Sequence, residues 1–192
     1  MRERPAYVEA RVVRAGDSVL VEWARDSAYR FFPLVEHPDF GLTLHPFDLA
    51  TNKVLALVGR LEARDRIDVI ACADRLQPLG YLVWAACGKD PGFSPQGILE
   101  EAGRSARYSD AEIASLAFSG TPPHAADLAR RCTSTCARLP QGLPPDRVAQ
   151  AVLTADGGLF TGDAAAAAEA LRRRRLIFHS GRIRGAFPQI MA

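Results

Sequence analysis

Positive charges recur at helical intervals in the stretch HPFDLATNKVLALVGRLEARDRIDVIACAD, residues 45–74. At about 100° of rotation per residue, Lys53, Arg60 and Arg64 fall within one narrow arc of a helix. The chain has 24 lysines and arginines, and only two of them are lysines. A compact ammonium group kept among guanidinium groups suits contact with a phosphate. Alternatively, Lys53 is a partly buried helix residue whose charged end reaches water.

Two carboxylates follow in the same stretch. Asp65 and Asp68 are three residues apart, which places them on neighbouring positions of one helix face. Asp68 is the better candidate for a general base, because Asp65 falls where a second helix begins and suits an N-cap or first-turn role there. The alternative is that both carboxylates belong to a structural network of arginine and aspartate.

The pattern D-L-A-x-x-K-x-x-A-L-x-x-R-x-x-x-R-D-x-x-D, read from Asp48 to Asp68, resembles the later motif of the AbiEii/AbiGii-type nucleotidyltransferase toxins. These are the toxin members of bacterial type IV toxin–antitoxin pairs. The resemblance covers residues 6–105 and implies a polymerase-beta-like fold, an NTP with Mg²⁺ and, for some members, nucleotide addition to tRNA ends. A cognate antitoxin is an implied partner. The residues to which it assigns nucleotide binding are Lys53, Arg60 and Arg64, and the catalytic candidates are Asp65 and Asp68.

The chain departs from the family pattern in one respect. Members carry an earlier G-G/S loop followed by D-x-D on a strand, which binds the triphosphate and the metals, and this chain has no such motif. We therefore expect a truncated or degenerate nucleotidyltransferase-like protein acting on an NTP and an RNA acceptor. The alternative is a non-catalytic module that keeps the helical half of the fold to hold a nucleotide, an RNA or a partner protein.

The beginning of the chain alternates apolar and polar residues over AYVEARVVR and SVLVEWA, across a Gly16-Asp17 turn, which predicts a β-hairpin. Under the resemblance, residues 1–45 are a remnant of the nucleotidyltransferase sheet. Glu22 stands between Val21 and Trp23, an arrangement in which related enzymes carry a further carboxylate near the metal. It equally suits the solvent side of an amphipathic strand.

The rest of the chain is predicted to be mainly helical, so that the expected fold class is α+β. Residues 46–140 form a predicted helical domain, with helices from Phe47 to about Gly59 and from Arg64 to about Leu76. Pro140 to Pro145 reads as a linker. Residues 146–192 are predicted as a small α/β unit, with a hairpin around Asp156-Gly157, a helix in DAAAAAEALRRRR and a strand in LIFH.

Composition favours a cytoplasmic protein with one core and a small appendage. The net charge is +2 and 48% of the residues are hydrophobic. No apolar run approaches the roughly 18 residues of a membrane span, and the stretch MRERPAYVEA lacks the apolar centre of a signal peptide.

Three further features are candidates for binding a metal, an RNA or a phosphate. Cys132 and Cys136 are one helical turn apart and could bind a metal with His124 or His179, although plain buried thiols are the simpler expectation. The arginines from Arg172 to Arg175 could follow an RNA backbone or suit the negative end of a helix. Lys89 lies in a loop between helices, where it either approaches the same phosphate or occupies an exposed turn.

Overall fold

The computed structural model of the chain describes residues 2–25, 27–104, 108–135 and 139–188. Within these ranges six strands are followed by six helices, and strands and one further helix follow these, with every strand pair antiparallel. This mixture of helices and small antiparallel sheets agrees with the predicted α+β class. The strands are β1 (Arg2–Arg4), β2 (Tyr7–Arg14), β3 (Asp17–Ala24), β4 (Tyr29–Arg30), β5 (Val35–His37), β6 (Gly41–Thr43), β7 (Gln150–Thr154), β8 (Leu176–Ser180) and β9 (Arg182–Ile183). The helices are α1 (Pro46–Arg60), α2 (Ala63–Arg75), α3 (Leu79–Ala86), α4 (Pro95–Arg104), α5 (Asp110–Ala114), α6 (Ala125–Thr135) and α7 (Ala164–Arg172), with a 3₁₀ turn at Pro145–Arg147.

Local capping fixes both ends of α1. The His45 ring accepts a hydrogen bond from the backbone N–H of Phe47 at 3.2 Å, and Pro46 supplies a fixed φ in the first turn. At the other end Leu61 adopts the left-handed conformation, φ 57°, and its N–H bonds back to the Leu57 carbonyl. The helix therefore stops at Arg60, close to the predicted end.

The break at Leu61 changes the geometry of the basic stripe. Arg60 ends α1, whereas Arg64 lies in the first turn of α2 together with Asp65. The expectation that Lys53, Arg60 and Arg64 share one narrow arc is therefore wrong for Arg64, because a left-handed residue between the helices redirects the chain.

The main core lies between α1, α3 and α4 and the short strands that precede them. Phe31, Phe47, Leu57, Leu82 and Ile98 are almost completely buried there. Each such side chain contributes about 1.5–3 kcal/mol through removal of apolar surface from water.

Strand β7 shares this core. Ala151 and Leu153 of β7 are fully buried in the main cluster. The buried Gln77 side chain donates hydrogen bonds to the carbonyls of Val152, at 2.9 Å, and Phe160, at 2.7 Å. The described part of the stretch predicted as a small α/β unit therefore packs against the helices through β7.

The C-terminal strands pair differently from the sequence expectation. β7 pairs along its length with β8, and the predicted hairpin around Asp156-Gly157 is reduced to a single bridge between Leu153 and Leu159. α5 begins with a capping box in which Ser109 and Glu112 bond to each other's backbone N–H, and it ends at Ala114.

The hairpin of β2 and β3 turns one residue earlier than predicted. Ala15 and Gly16 both have positive φ, 51° and 91°, as the two central residues of a type I′ turn require. Arg14 therefore pairs with Asp17.

One face of this hairpin is apolar from Val8 to Val12 and from Val19 to Trp23, and it is partly open to solvent. The register places Val12 opposite Val19 and Val8 opposite Trp23, with Ala10 opposite Val21 between them. Val12, Val19 and Trp23 are each about half exposed. We call these six residues the hairpin apolar face.

Candidate functional site

The charged residues of the 45–74 stretch meet where α1 crosses α2. Lys53 on α1 donates to Asp68 on α2, with 2.7 Å between Nζ and Oδ2, and lies 3.4 Å from Oδ1 of Asp65. Arg60, at the end of α1, donates to the same Asp65 oxygen at 3.0 Å. Four of the six predicted site residues thus form one cluster.

Asp65 is the buried centre of this cluster. Its side chain has no solvent exposure, whereas those of Lys53, Arg60 and Asp68 are 37%, 48% and 45% exposed. One oxygen, Oδ2, is buried without a hydrogen-bond partner among the described residues. An ionised carboxylate in this position depends on its two cations, because burial alone disfavours the charged form.

The environment of Lys53 keeps it charged. Burial lowers the pKa of Lys53, but the hydrogen bond from its ammonium to Asp68 and the charges of Asp68 and Asp65 outweigh burial, so the pKa lies above its usual value. Lys53 is therefore fully protonated at neutral pH. Its partial exposure leaves it able to contact an anion from solvent.

An open cavity adjoins Lys53 and Asp68. It has a volume of about 380 Å³ and is floored by apolar atoms of Leu49, Cys72 and neighbouring residues of α2. Arg75 stands at its edge and makes no ion pair within the part of the chain that the structure describes. Burial raises the pKa of the Cys72 thiol, so that it is a neutral wall of the cavity.

Sequence reasoning missed Arg75, although its position was readable. Asp68 and Arg75 are seven residues apart, and this spacing brings them to the same face of α2 two turns apart. Without Arg75 the cluster of Lys53, Arg60, Asp65 and Asp68 is electrically neutral. With it, the cavity carries one uncompensated positive charge.

Two predicted residues lie apart from the cluster. Arg64 is 54% exposed and pairs with Glu62 at 2.6 Å. Glu22 lies on the polar face of the hairpin, where it accepts a hydrogen bond from the Tyr7 hydroxyl; this bond is the main cause that raises the pKa of Tyr7 to about 12. Its role as a metal ligand stays a prediction.

A second charged pair, which sequence reasoning did not identify, is structural. Asp48 is fully buried and accepts hydrogen bonds from the backbone N–H groups of Phe31, at 2.9 Å, and Phe32, at 3.0 Å. Lys89, only 8% exposed, completes the arrangement at 2.9 Å from Asp48 and 2.7 Å from Asn52. The interpretation of Lys89 as an exposed turn or phosphate contact is therefore wrong, because its charge is already neutralised inside the fold.

The described residues do not group into a metal site. No cluster of three or more His, Cys, Asp or Glu side chains suited to a metal occurs among them. Asp65 and Asp68, the only candidate carboxylates beside Lys53 in the described chain, are each bound to cationic side chains. The residues present in this cluster therefore do not fit the Mg²⁺ that the resemblance implies.

The remaining candidates have local roles or fall outside the described part. His179 is buried, with Nε2 2.8 Å from the Phe31 carbonyl and 3.0 Å from that of Ala186. Cys136 and the side chain of Cys132 lie outside the described residues. Arg172 and Arg173 both pair with Glu169, so that part of the charge predicted to contact RNA is neutralised within α7.

Comparisons with known proteins found no counterpart for this chain. No protein-family model matches it, and neither a curated protein nor a solved structure is significantly similar to it. Among the described helices, none combines the length and apolarity that crossing a bilayer requires.

Proposed function

We propose that this chain is a degenerate nucleotidyltransferase-type protein, similar to the AbiEii/AbiGii toxins, which binds an NTP through Lys53 and retains part of the site for transfer to an RNA acceptor such as tRNA. The observation that supports the proposal is the convergence of Lys53, Arg60, Asp65 and Asp68 from two helices at the mouth of an open cavity. Charged residues that the sequence spaces at helical intervals are therefore in contact in the folded chain.

The ion pair between Lys53 and Asp68 suggests how a phosphate would enter. Both side chains are partly exposed, so separating them costs little, on the order of 1 kcal/mol or less. A phosphate oxygen can then take the place of the Asp68 carboxylate on Lys53, with Arg75 adding a second positive charge. Asp65 stays bound to Arg60 and keeps the two helices in register.

Displacement from Lys53 would also leave the Asp68 carboxylate free to accept a proton. In nucleotidyl transfer an acceptor hydroxyl attacks the α-phosphorus, the bond to pyrophosphate breaks and the hydroxyl proton must be accepted. Asp68 is the residue that we assign to that proton.

A second candidate function is a non-catalytic module for a nucleotide, an RNA or a protein partner. The pairing of both cluster carboxylates with cations favours it, because transfer of this class depends on carboxylates that hold divalent metal. The two functions share the same NTP site and differ in whether transfer follows binding.

Nucleotide binding is expected to depend on Lys53 and not on Arg64. Lys53→Met keeps the length of the side chain and removes the charge that would contact phosphate, so NTP affinity should fall by about tenfold or more. Arg64→Met is a matched control, because Arg64 is exposed and pairs with Glu62 away from the cavity. Calorimetric titration of the purified variants with ATP, GTP, CTP and UTP measures this, and an equal loss in both variants contradicts the proposed site.

We expect the chain by itself to bind an NTP without transferring it, because its charged cluster lacks a free carboxylate pair for metal. Incubation with labelled NTPs, Mg²⁺ and bulk tRNA tests this. Label on RNA that disappears in Asp68→Asn would contradict the expectation and establish Asp68 as a catalytic residue. Binding without label supports the module.

A further inference from the structure

A second cavity, of about 440 Å³, lies away from the Lys53 cluster and shares no lining residue with it. It is enclosed by residues 32–35, by the His45 cap of α1, by the turn after β7 at residues 155–157, and by residues 187–188. This volume falls within the range of about 300–1,000 Å³ that is typical of small-molecule sites. Its four walls come from distant parts of the chain, so only the folded protein forms it.

Three aromatic rings line the cavity, those of Phe32, His45 and Phe187. Phe32 lies against the His45 ring, with 4.3 Å between centroids and 33° between planes, and also against His179, at 5.3 Å. Phe187 also lines the cavity, and it is 75% exposed. An exposed phenylalanine beside an aromatic wall provides a stacking surface for a flat ring.

Two polar groups accompany these rings, one a donor and one an acceptor. Nδ1 of His45 accepts the N–H of Phe47, and burial lowers the pKa of His45, so that the ring is neutral and carries its proton on Nε2. That Nε2 has no partner within the described chain. Asp156 accepts a hydrogen bond from the Thr154 hydroxyl, which lowers its pKa and keeps it ionised.

We propose that this cavity binds a planar heteroaromatic molecule of nucleobase size that carries an exocyclic amino group. The ring stacks beside Phe187, a ring nitrogen accepts the Nε2–H of His45, and the amino group donates to Asp156. Adenine has this combination of flat face, acceptor and donor. A purely apolar ring lacks both polar contacts, and an anionic ligand meets the negative charge of Asp156.

The test is a titration of the full chain with adenine, followed by ligand-observed NMR, with indole as a flat probe that lacks a ring-nitrogen acceptor. Saturable adenine binding that is stronger than indole binding is expected. Phe187→Ala should lower the affinity for adenine by about 2- to 10-fold through loss of stacking. Asp156→Ala should lower this affinity by a similar factor through loss of the hydrogen-bond acceptor.

Matched controls separate the site from general surface effects. Phe40 is 76% exposed and stacks on His37 outside the cavity, so Phe40→Ala should leave adenine affinity unchanged. Lys53→Met should also leave it unchanged, which keeps this site distinct from the proposed NTP site. Absence of saturable adenine binding, indole binding of equal strength, or an equal loss in Phe40→Ala would overturn the proposal.

Discussion

Burial distinguishes the two lysines of this chain, which the sequence presents as equivalent candidates for phosphate. Lys89 is almost fully buried against Asp48 and Asn52, where it neutralises a carboxylate that anchors the backbone of Phe31 and Phe32. Lys53 is more than one third exposed and sits beside a cavity. Only a lysine that is accessible from solvent can exchange its carboxylate for a ligand, which is why we place the ligand contact at Lys53.

The two carboxylates of the cluster also differ in burial. Substituting them should therefore lower the stability of the protein by different amounts. Asp65→Asn leaves Lys53 and Arg60 beside a buried neutral group, and we expect the free energy of unfolding to fall by about 2–3 kcal/mol. This is less than the roughly 3–5 kcal/mol for breaking a fully buried pair, because both cations reach solvent. Asp68→Asn removes a partly exposed pair and should cost about 1 kcal/mol or less. Urea denaturation of both variants checks this order, and equal losses would contradict it.

At the scale of the elements, helix boundaries were predictable because their signals are local. The ends of α1 and α2 lie close to the predicted positions. At the start of α1 the His45 ring bonds to the backbone N–H of Phe47, a near neighbour in sequence. The class of the fold followed from the same patterns.

Long-range pairing was not predictable from those signals. The partner of β7 is β8, which begins more than twenty residues later. The predicted hairpin turn at Asp156-Gly157 is closed only by a single bridge, between Leu153 and Leu159. In the candidate site, the spacing indicated the residues of the cluster and was sufficient to find Arg75, whereas the separation of Arg64 depends on how α2 is set against α1. Helix propensity gives no information on the angle between α1 and α2.

The left-handed residue between α1 and α2 gives a prediction at this scale. Leu61 has φ 57°, a conformation that is unfavourable for a residue with a side chain, and it is 38% exposed. Leu61→Gly removes the steric cost and loses little apolar contact, so it should stabilise the protein by about 0.5–1 kcal/mol. A higher urea concentration at the unfolding midpoint, with an unchanged slope of the transition, would confirm the gain in stability. A lower midpoint would show that the contacts of the Leu61 side chain contribute more to stability than its backbone strain costs.

At the scale of the whole molecule, the hairpin is unlike the rest of the fold. The helices and the C-terminal strands share buried residues, whereas β1, β2 and β3 hydrogen-bond only to one another among the described strands. β3 has one edge without a strand partner in that part of the chain, and it contains no proline or lysine that would discourage pairing. The edge and the hairpin apolar face together offer a surface for another part of a sheet.

We therefore expect the purified chain to self-associate through the hairpin apolar face. Val12 and Val19 lie opposite each other on that face and are 49% and 57% exposed, so Val12→Lys places a charge on the face and should shift the protein toward monomer. Val13→Lys is the matched control, because Val13 is 65% exposed but points to the opposite face, in register with Ser18. Sedimentation velocity over a range of concentrations, with binding of an apolar dye, distinguishes the variants. A wild-type chain that stays monomeric without binding dye, or an equal response to both substitutions, would mean that the face is not an interface.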